Sequence, residues 1–285
     1  MTIDIEYLKT WIGKSETSKD RLHSDKLAGL AATLDQDELD LLAGDIVPPA
    51  WHWIFFNPIV RASGIGSDGH PSRGEFLPPV DLPRRMWAGG RILWKENLLV
   101  DDPVTRNSVV ADVRHKSGKS GDLVFVMIKH EIIGKRGGFV EEEQDIVYRS
   151  APNKHDPQPP AKEAPSDALW SRTINPDPLL LFRYSALTFN GHRIHYDYPY
   201  VTKEEGYPGL IVHGPLIATL LLDLCRRECR DQEIKRFEYR AMSPLFAPLP
   251  FTVNGRFGES GRTGNLWASN ANDRLAMKAE VEFAN

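Results

Sequence analysis

Cysteine is nearly absent from this sequence, which excludes the small disulfide-stapled and zinc-stapled classes of protein. The two cysteines, Cys225 and Cys229, lie four residues apart on a predicted helix. Side chains at that spacing share a face but rarely reach the geometry of a disulfide. Their spacing also differs from the common zinc patterns. We therefore expect free thiols and a reducing, cytoplasmic setting.

Long apolar runs and a strong excess of one charge are lacking as well. No stretch approaches the ~20 apolar residues of a membrane span. The acidic start, Met1 to Glu6, has neither the basic nor the apolar region of a signal peptide. A net charge of −4 gives no basic footprint for nucleic acid and no acidic tail. We expect no membrane and no nucleic-acid partner, and two ordinary domains within the 285 residues.

The first 150 residues predict a domain in which helices precede strands. Apolar residues at helical spacing indicate helix over much of residues 1–45, with Gly44 as a stop, and the aromatic run Pro48 to Pro58 predicts a buried strand or wall. The Gly- and Pro-rich stretch Gly64 to Pro83 is typical of a long loop at a pocket rim. An antiparallel meander is predicted from strand patterns near residues 86–94, 105–115, 122–134 and 139–149.

A proline-rich linker, residues 151–177, is predicted to separate this domain from a second one at residues 178–285. Seven of the 21 prolines fall between 151 and 178, which favours an extended connector. The second domain predicts an opening strand, a polar loop, a helix at about 215–230 that is apolar nearly all round, and four strands, near 234–243, 250–258, 263–270 and 274–284. The first half resembles a worn copy of this unit.

The polar loop carries the strongest functional signal. It reads Asn190-Gly-His192-Arg193-Ile-His195-Tyr-Asp197, and Val212-His213-Gly214-Pro215 then starts the helix. His195 is a candidate base because imidazole titrates near neutral pH. Its competing interpretation is a structural histidine bonded to backbone. At Gly214 the free amides of a helix N-terminus can approach a developing oxyanion closely.

These residues resemble the MaoC-like, (R)-specific hydratases and dehydratases, whose loop pattern Asp-x-Asn-Pro-x-His precedes a His-Gly helix start. Phe182 to Asp197, together with Leu82 to Ile92 and Ser120 to Val124, is similar to the double hot-dog branch of that family. This branch includes mitochondrial-type 3-hydroxyacyl-thioester dehydratases and mesaconyl-C4-CoA and itaconyl-CoA hydratases. The resemblance implies an α+β fold, a double hot-dog in which two antiparallel sheets each wrap a central helix and pair as a pseudo-dimer.

The resemblance also implies an activity: reversible addition of water to the α,β double bond of an enoyl-CoA thioester, most closely a C5 dicarboxylyl-CoA that yields citramalyl-CoA. Asn190 replaces the family's loop aspartate, so the usual Asp-His dyad is not carried over whole. We expect His195 to take a proton from water and return it to Cα, Asn190 to hold the water, and the Gly214 amide to stabilise the enolate oxygen. CoA is then part of the substrate, and neither a cofactor nor a metal is expected.

Several further residues are candidates for binding the substrate. Guanidinium matches carboxylate and phosphate bidentately, although a solvated surface arginine is the competing interpretation of each one taken singly. The candidates are Arg84, Arg85, Arg183, Arg193, His213 and, as a wall of the acyl pocket, Trp87. Alternative functions are a fatty 3-hydroxyacyl-thioester dehydratase, an acyl-CoA thioesterase or a non-catalytic acyl-CoA-binding subunit. The expected partner is an acyl-CoA, and assembly into a homo-oligomer is left open.

Overall fold

The structure is a computed structural model and describes residues 3–36, 41–118, 121–150 and 161–284. The helices within these ranges are α1 (Ile5–Lys9), α2 (Ser24–Thr33), α3 (Pro178–Thr188) and α4 (Gly214–Glu228). The strands are β1 (Ser15–Arg21), β2 (Arg84–Glu96), β3 (Pro103–Gly118), β4 (Gly121–Gly134), β5 (Phe139–Arg149), β6 (Trp170–Ile174), β7 (Ile234–Ala241), β8 (Phe251–Phe257), β9 (Thr263–Asn270) and β10 (Leu275–Phe283).

All ten of these strands form one antiparallel sheet in the order β1-β3-β4-β5-β2-β7-β10-β9-β8-β6. We number the strands within each half and read each group of five from the outer edge of the sheet to its centre. Both groups then have the same order, first-third-fourth-fifth-second. The two groups meet where β2 pairs with β7, from Gly89 opposite Arg240 to Leu93 opposite Arg236. This repeated topology confirms the predicted α+β double hot-dog. It also shows that the pseudo-dimer is a single continuous sheet.

Helix α4 is the central helix of the second half. Every residue from Leu216 to Cys225 is buried, and the helix contacts β6, β8, β9 and β10, as expected for a helix that is apolar nearly all round. The same burial leaves Cys225 and Cys229 as buried free thiols. At the carboxyl end of this buried stretch the Asp223 carboxylate is also buried, and it accepts from Arg172 at 2.9 Å and from Arg227 at 2.9 Å.

Strands β2 to β5 and β7 to β10 lie close to their predicted bounds because their sequences alternate between apolar and polar residues. In β10, Leu275, Met277, Val281 and Phe283 are buried, whereas Lys278 and Glu280 are exposed. The first half lacks a helix as long as α4 among its described residues. A short helix, α2, and the long loop between residues 45 and 83 stand between β1 and β2 instead.

Four predictions of local structure are wrong. Residues 15–21 form β1 rather than helix, because this polar segment pairs along its whole length with β3 at the edge of the sheet. The Trp51–Ile54 segment is a buried 3₁₀ turn, so the predicted wall is present but not as a strand. The predicted opening strand is helix α3, which starts at Pro178 with the Asp177 side chain accepting from the Leu180 amide.

The fourth correction concerns the linker. Residues 170–174 form β6, which pairs with β8 at the edge of the sheet, so an extended connector is wrong for them. Residues 151–160 lie outside the described residues, as do residues 37–40 of the helix predicted up to Gly44. In the described part of the chain, no helix has the length and apolar character needed to cross a membrane.

Candidate active site

The polar loop is fixed at its start by the way α3 ends. Phe189 adopts a left-handed conformation with φ 50°, and the Asn190 N–H donates to the Ser185 carbonyl at 2.9 Å, which closes the helix end. The Asn190 Oδ1 then accepts from the His192 N–H at 3.0 Å. The side-chain carbonyl is thus used within the loop, whereas the amide nitrogen of Asn190 has no hydrogen-bond partner among the described residues.

His195 lies at the end of a 3₁₀ turn and faces the same cavity as Asn190. Its ring is 7% exposed, and its Nδ1–H donates to the Ile211 carbonyl at 2.7 Å. That hydrogen bond leaves the Nε2 lone pair as the acceptor. Burial, with a smaller effect from the charge of His70, lowers the pKa of His195 to about 4. The ring is therefore neutral at neutral pH and is able to accept a proton.

His213 stands behind His195 rather than in the cavity. The two rings stack with centroids 3.6 Å apart and an angle of 18° between their planes. His213 is 1% exposed, and its Nε2 is 2.8 Å from the Ser185 hydroxyl. Burial holds the pKa of His213 well below its usual range. This neutral ring fixes the position of His195, and the structure does not bring it to the cavity wall predicted for a substrate-binding residue.

The start of α4 lies beside this pair because His213 is the residue that precedes the helix. Gly214 and Pro215 line the cavity, and no residue in the described ranges accepts a hydrogen bond from the Gly214 N–H. A Cβ on Gly214 would come within 2.7 Å of the Trp87 ring at Cε3. Only glycine lets the helix start and the Trp87 ring pack this closely, with the amide left available to a ligand.

An aromatic wall holds Trp87 in place. Its ring stacks on Tyr239 at 4.4 Å between centroids and meets Trp53 edge-on at 5.5 Å. The Trp53 indole N–H donates to the buried Glu142 carboxylate at 2.9 Å, and His52 is 2.9 Å from the other oxygen of that group. Burial opposes the charge on Glu142, but the hydrogen bond from His52 lowers its pKa to about 2. The carboxylate therefore stays ionised and anchors the wall.

The four predicted arginines have different surroundings. Arg84 pairs with Glu205 and lies over the Tyr207 ring. Arg193 donates twice to Asp197, at 2.9 and 2.8 Å, and lies over the Tyr200 ring.

The other two arginines have no such ion pairs with the residues that the structure describes. Arg183 is exposed on α3 and does not line the cavity, so a contact with CoA phosphates stays a prediction. Arg85 is half-buried in the cavity wall, and its guanidinium has no ion pair and no hydrogen bond within the part of the chain that the structure describes. Arg85 is thus the predicted arginine that is free to meet a ligand.

Two residues that the sequence did not single out as site candidates, Asp68 and His70, lie at this site in the structure. They belong to the loop predicted as a pocket rim, and this loop does line the cavity at Gly69, His70 and Pro71. The His70 ring lies 4.0 Å from the ring of His192, which in turn lies 5.5 Å from the ring of His195. An aspartate and a histidine flanking a glycine in a loop are a weak signal, and more than 100 residues separate them from the polar loop.

Comparison with known proteins gives a consistent result. Residues 50–247 match the family model of hydroxyacyl-thioester dehydratase type 2. The chain is 44% identical over 275 residues to a mesaconyl-C(4)-CoA hydratase of Chloroflexus aurantiacus, with 96% of each chain covered. It is 29% identical over 244 residues to the mitochondrial hydroxyacyl-thioester dehydratase type 2 of Schizosaccharomyces pombe, covering 77% of this chain and 79% of that one.

A solved structure supports the fold independently. A MaoC-like dehydratase from Phytophthora capsici superposes with a TM-score of 0.69 and 14% identity, with 99% of each chain covered. At that identity the likeness concerns the fold alone.

Proposed function

Because the chain belongs to the hydroxyacyl-thioester dehydratase type 2 family, we propose that it hydrates a C5 dicarboxylyl-CoA thioester, mesaconyl-C4-CoA or itaconyl-CoA, to citramalyl-CoA. The chain is a hydro-lyase of the enoyl-CoA hydratase type. We also propose that the reaction requires no cofactor and that the protein works in the cytoplasm.

One observation supports the catalytic mechanism most directly. The imidazole of His195 has its Nδ1 committed to the Ile211 carbonyl, and it stacks at 3.6 Å on the residue that precedes Gly214. A lone pair on Nε2 and an unpaired helix N-terminal amide therefore lie on the same cavity. Hydration of an enoyl thioester requires this combination, because one group must activate water while another stabilises the enolate oxygen.

We propose the following sequence of proton transfers. With mesaconyl-C4-CoA, the Nε2 of His195 removes a proton from water as the oxygen bonds to Cβ, and the electron pair of the α,β double bond moves through Cα to the thioester oxygen. The Gly214 N–H donates to that oxygen while it carries charge. The imidazolium of His195 then returns its proton to Cα as the carbonyl re-forms. No net proton is gained or lost, and the reverse order of steps gives dehydration.

The choice of acyl group rests on two observations. The hydratase that is 44% identical to this chain is similar over 96% of both sequences. In addition, the cavity wall contains Arg85, a guanidinium without an ion-pair partner among the described residues. A half-buried cation of this kind favours a substrate that carries a carboxylate. An unbranched fatty acyl chain would leave that charge unpaired.

An assay of the purified protein with a panel of CoA thioesters tests this proposal. We expect loss of the enoyl absorbance with mesaconyl-C4-CoA, and formation of citramalyl-CoA with mesaconyl-C4-CoA or itaconyl-CoA. Turnover of straight-chain 3-hydroxyacyl thioesters alone would assign the protein to the fatty 3-hydroxyacyl-thioester dehydratases; the relative of 29% identity is named a hydroxyacyl-thioester dehydratase. Release of free CoA without loss of the double bond would indicate a thioesterase, and ligand binding without turnover would indicate a non-catalytic subunit.

The role of Asn190 has its own test. Because its Oδ1 accepts from the His192 N–H, an aspartate at the same position can keep that hydrogen bond. The one-base mechanism predicts that Asn190→Asp retains activity with a modest change in rate. A gain of about 100-fold or more in the hydration rate, roughly the smallest effect expected from a second general base, would contradict it.

A further inference from the structure

Asp68 and His70 form a carboxylate–imidazole pair at the edge of the cavity. The Asp68 Oδ1 accepts from the His70 backbone N–H at 3.0 Å, and its Oδ2 lies 3.1 Å from the Nδ1 of the His70 ring. Burial opposes the charge on Asp68, but these two hydrogen bonds hold its pKa below the usual range. The carboxylate therefore fixes the ring with Nδ1–H toward itself and Nε2 pointing away.

This pair is held against the polar loop by backbone contacts. The Arg193 N–H donates to the Asp68 carbonyl at 2.9 Å, and the Arg193 side chain donates to the Ser67 carbonyl at 2.9 Å. Gly69 has φ +89°, and a Cβ there would lie 1.8 Å from the carbonyl oxygen of Gly191. No other residue allows this approach. The rim loop of the first half is thus part of the site built by the second half.

The surroundings of the His70 ring are positive. Arg85 and Arg73 act on His70 electrostatically, and Arg85 also acts on His192. Asp68 is the negative group that faces both rings, and its hydrogen-bonding capacity toward His70 is already used. Arg73 is committed to the carbonyls of Val80 and Leu82, each at 2.6 Å. Of these two cations, Arg85 is therefore the one whose guanidinium has no hydrogen bond to the described residues.

We propose that Arg85 and His70, with His70 oriented by Asp68, form the receptor for a carboxylate that the substrate carries on Cβ. This inference rests on the proposed function. In mesaconyl-C4-CoA the free carboxylate is bonded directly to the carbon that water attacks, a separation of roughly 1.5 Å. The carboxylate must therefore lie close to the base. The rings of His195, His192 and His70 follow one another in this order, with centroid spacings of 5.5 and 4.0 Å, and this row of rings provides such a place.

Binding of this carboxylate is coupled to uptake of a proton by His70. Burial, opposed by Asp68, keeps the pKa of His70 below its usual value. The neutral ring, with Nδ1–H toward Asp68, presents only a lone pair at Nε2. An arriving carboxylate favours the protonated ring, which donates from both nitrogens, as well as the Arg85 guanidinium. Substrate with the carboxylate therefore binds more weakly as the pH rises, whereas a substrate without it is not affected by this group.

A metal ion is the competing ligand for the same cluster. The ligand atoms of Asp68, His70 and His192 lie within 4.8 Å of one another. A dication at this position would be repelled by Arg85, which acts on both imidazoles, and by Arg73. These charges favour an anion. Hydration that depends on an added divalent cation would assign the cluster to a metal and overturn the proposal.

The experiment compares two substrates of nearly the same shape, mesaconyl-C4-CoA and 3-methylcrotonyl-CoA, in which a methyl group replaces the carboxylate. The readout is the ratio of their kcat/KM values. We expect His70→Gln and Arg85→Gln each to lower this ratio by roughly 10- to 100-fold, the value of a hydrogen bond to a charged group. His115→Gln is the matched control, because His115 also pairs with an aspartate, Asp122 at 2.8 Å, outside the cavity wall. It should leave the ratio unchanged.

The pH dependence adds a second readout. In the wild-type protein KM for mesaconyl-C4-CoA should rise with pH, and this slope should be lost in His70→Gln. An unchanged substrate ratio in both His70→Gln and Arg85→Gln, or the same slope for both substrates, would overturn the receptor. If circular dichroism shows that His70→Gln is unfolded, the ratio of kcat/KM values measured for Arg85→Gln tests the receptor. Wild-type protein that hydrates no dicarboxylyl-CoA refutes the proposed function itself, whereas hydration without discrimination refutes only the receptor.

Discussion

Replacing Gly214 by alanine tests the close packing at the start of α4. The new Cβ would lie 2.7 Å from Trp87 Cε3 and 3.3 Å from Cζ3, where ordinary contact begins at 3.4 Å. The Trp87 ring has little freedom to move away, because Tyr239 stacks on it at 4.4 Å and Trp53 closes its edge. The helix start must therefore shift by about 0.7 Å, the distance by which the closest contact falls short.

A displacement of this size is large for a catalytic hydrogen bond, since a shift of 1 Å costs up to about 10²-fold in rate. We expect Gly214→Ala to lower kcat for enoyl-CoA hydration by roughly 10- to 100-fold and to cost about 1–3 kcal/mol in the free energy of unfolding through overpacking. Steady-state kinetics and urea unfolding measure the two effects. Gly214→Ala/Trp87→Leu should recover part of the lost stability. Unchanged kcat in the single variant would refute the oxyanion role of this amide.

Two further predictions concern stability. The pKa of His195 is about 4 in the folded protein, against 6.5 for an unperturbed histidine, so the unfolded state binds more protons between these values. The contribution of this ring to the free energy of unfolding is therefore fully present above about pH 6.5 and is lost as the pH drops toward 4. A urea midpoint that is equal at about pH 7.5 and 5 would contradict the burial of a neutral ring. Asp223→Ala should cost about 2–4 kcal/mol, because it leaves the guanidinium groups of Arg172 and Arg227 without their buried partner. Asp167→Ala, which breaks an exposed pair with Arg256, is the control and should cost less than about 1 kcal/mol; equal losses in the two variants would contradict the prediction.

Local sequence patterns are sufficient to predict a helix or strand when the residues of that element alone carry the signal. Strands β7 to β10 and helix α4 follow from apolar alternation and from a helix that is apolar nearly all round, and the observed bounds lie within a few residues of the predicted ones. The polar edge strand β1 has no such alternation and is held by its pairing with β3. The run Pro178 to Phe182 is apolar enough to suggest a strand, but Asp177 and Pro178 are typical of a helix start.

The same limit applies to those contacts of the candidate site that join residues far apart in the sequence. His195 and Gly214 belong to a local motif, so the sequence alone predicts them. The approach of Asp68 and His70 to His192 depends on a loop of one half reaching the motif of the other, and no local pattern contains that contact. The division of the arginines into paired and unpaired groups likewise depends on partners such as Glu205, which lies far from Arg84 in the sequence.

The rate of hydration by His195→Ala tests the central claim most directly. The enoyl absorbance of mesaconyl-C4-CoA is followed with wild-type and variant protein at equal concentration, after circular dichroism has established that both are folded. The one-base mechanism predicts a fall in kcat of about 10²–10⁴-fold, the contribution of a positioned general base. A variant that is folded and hydrates the substrate at a rate near that of the wild type would contradict the assignment of His195 as the base.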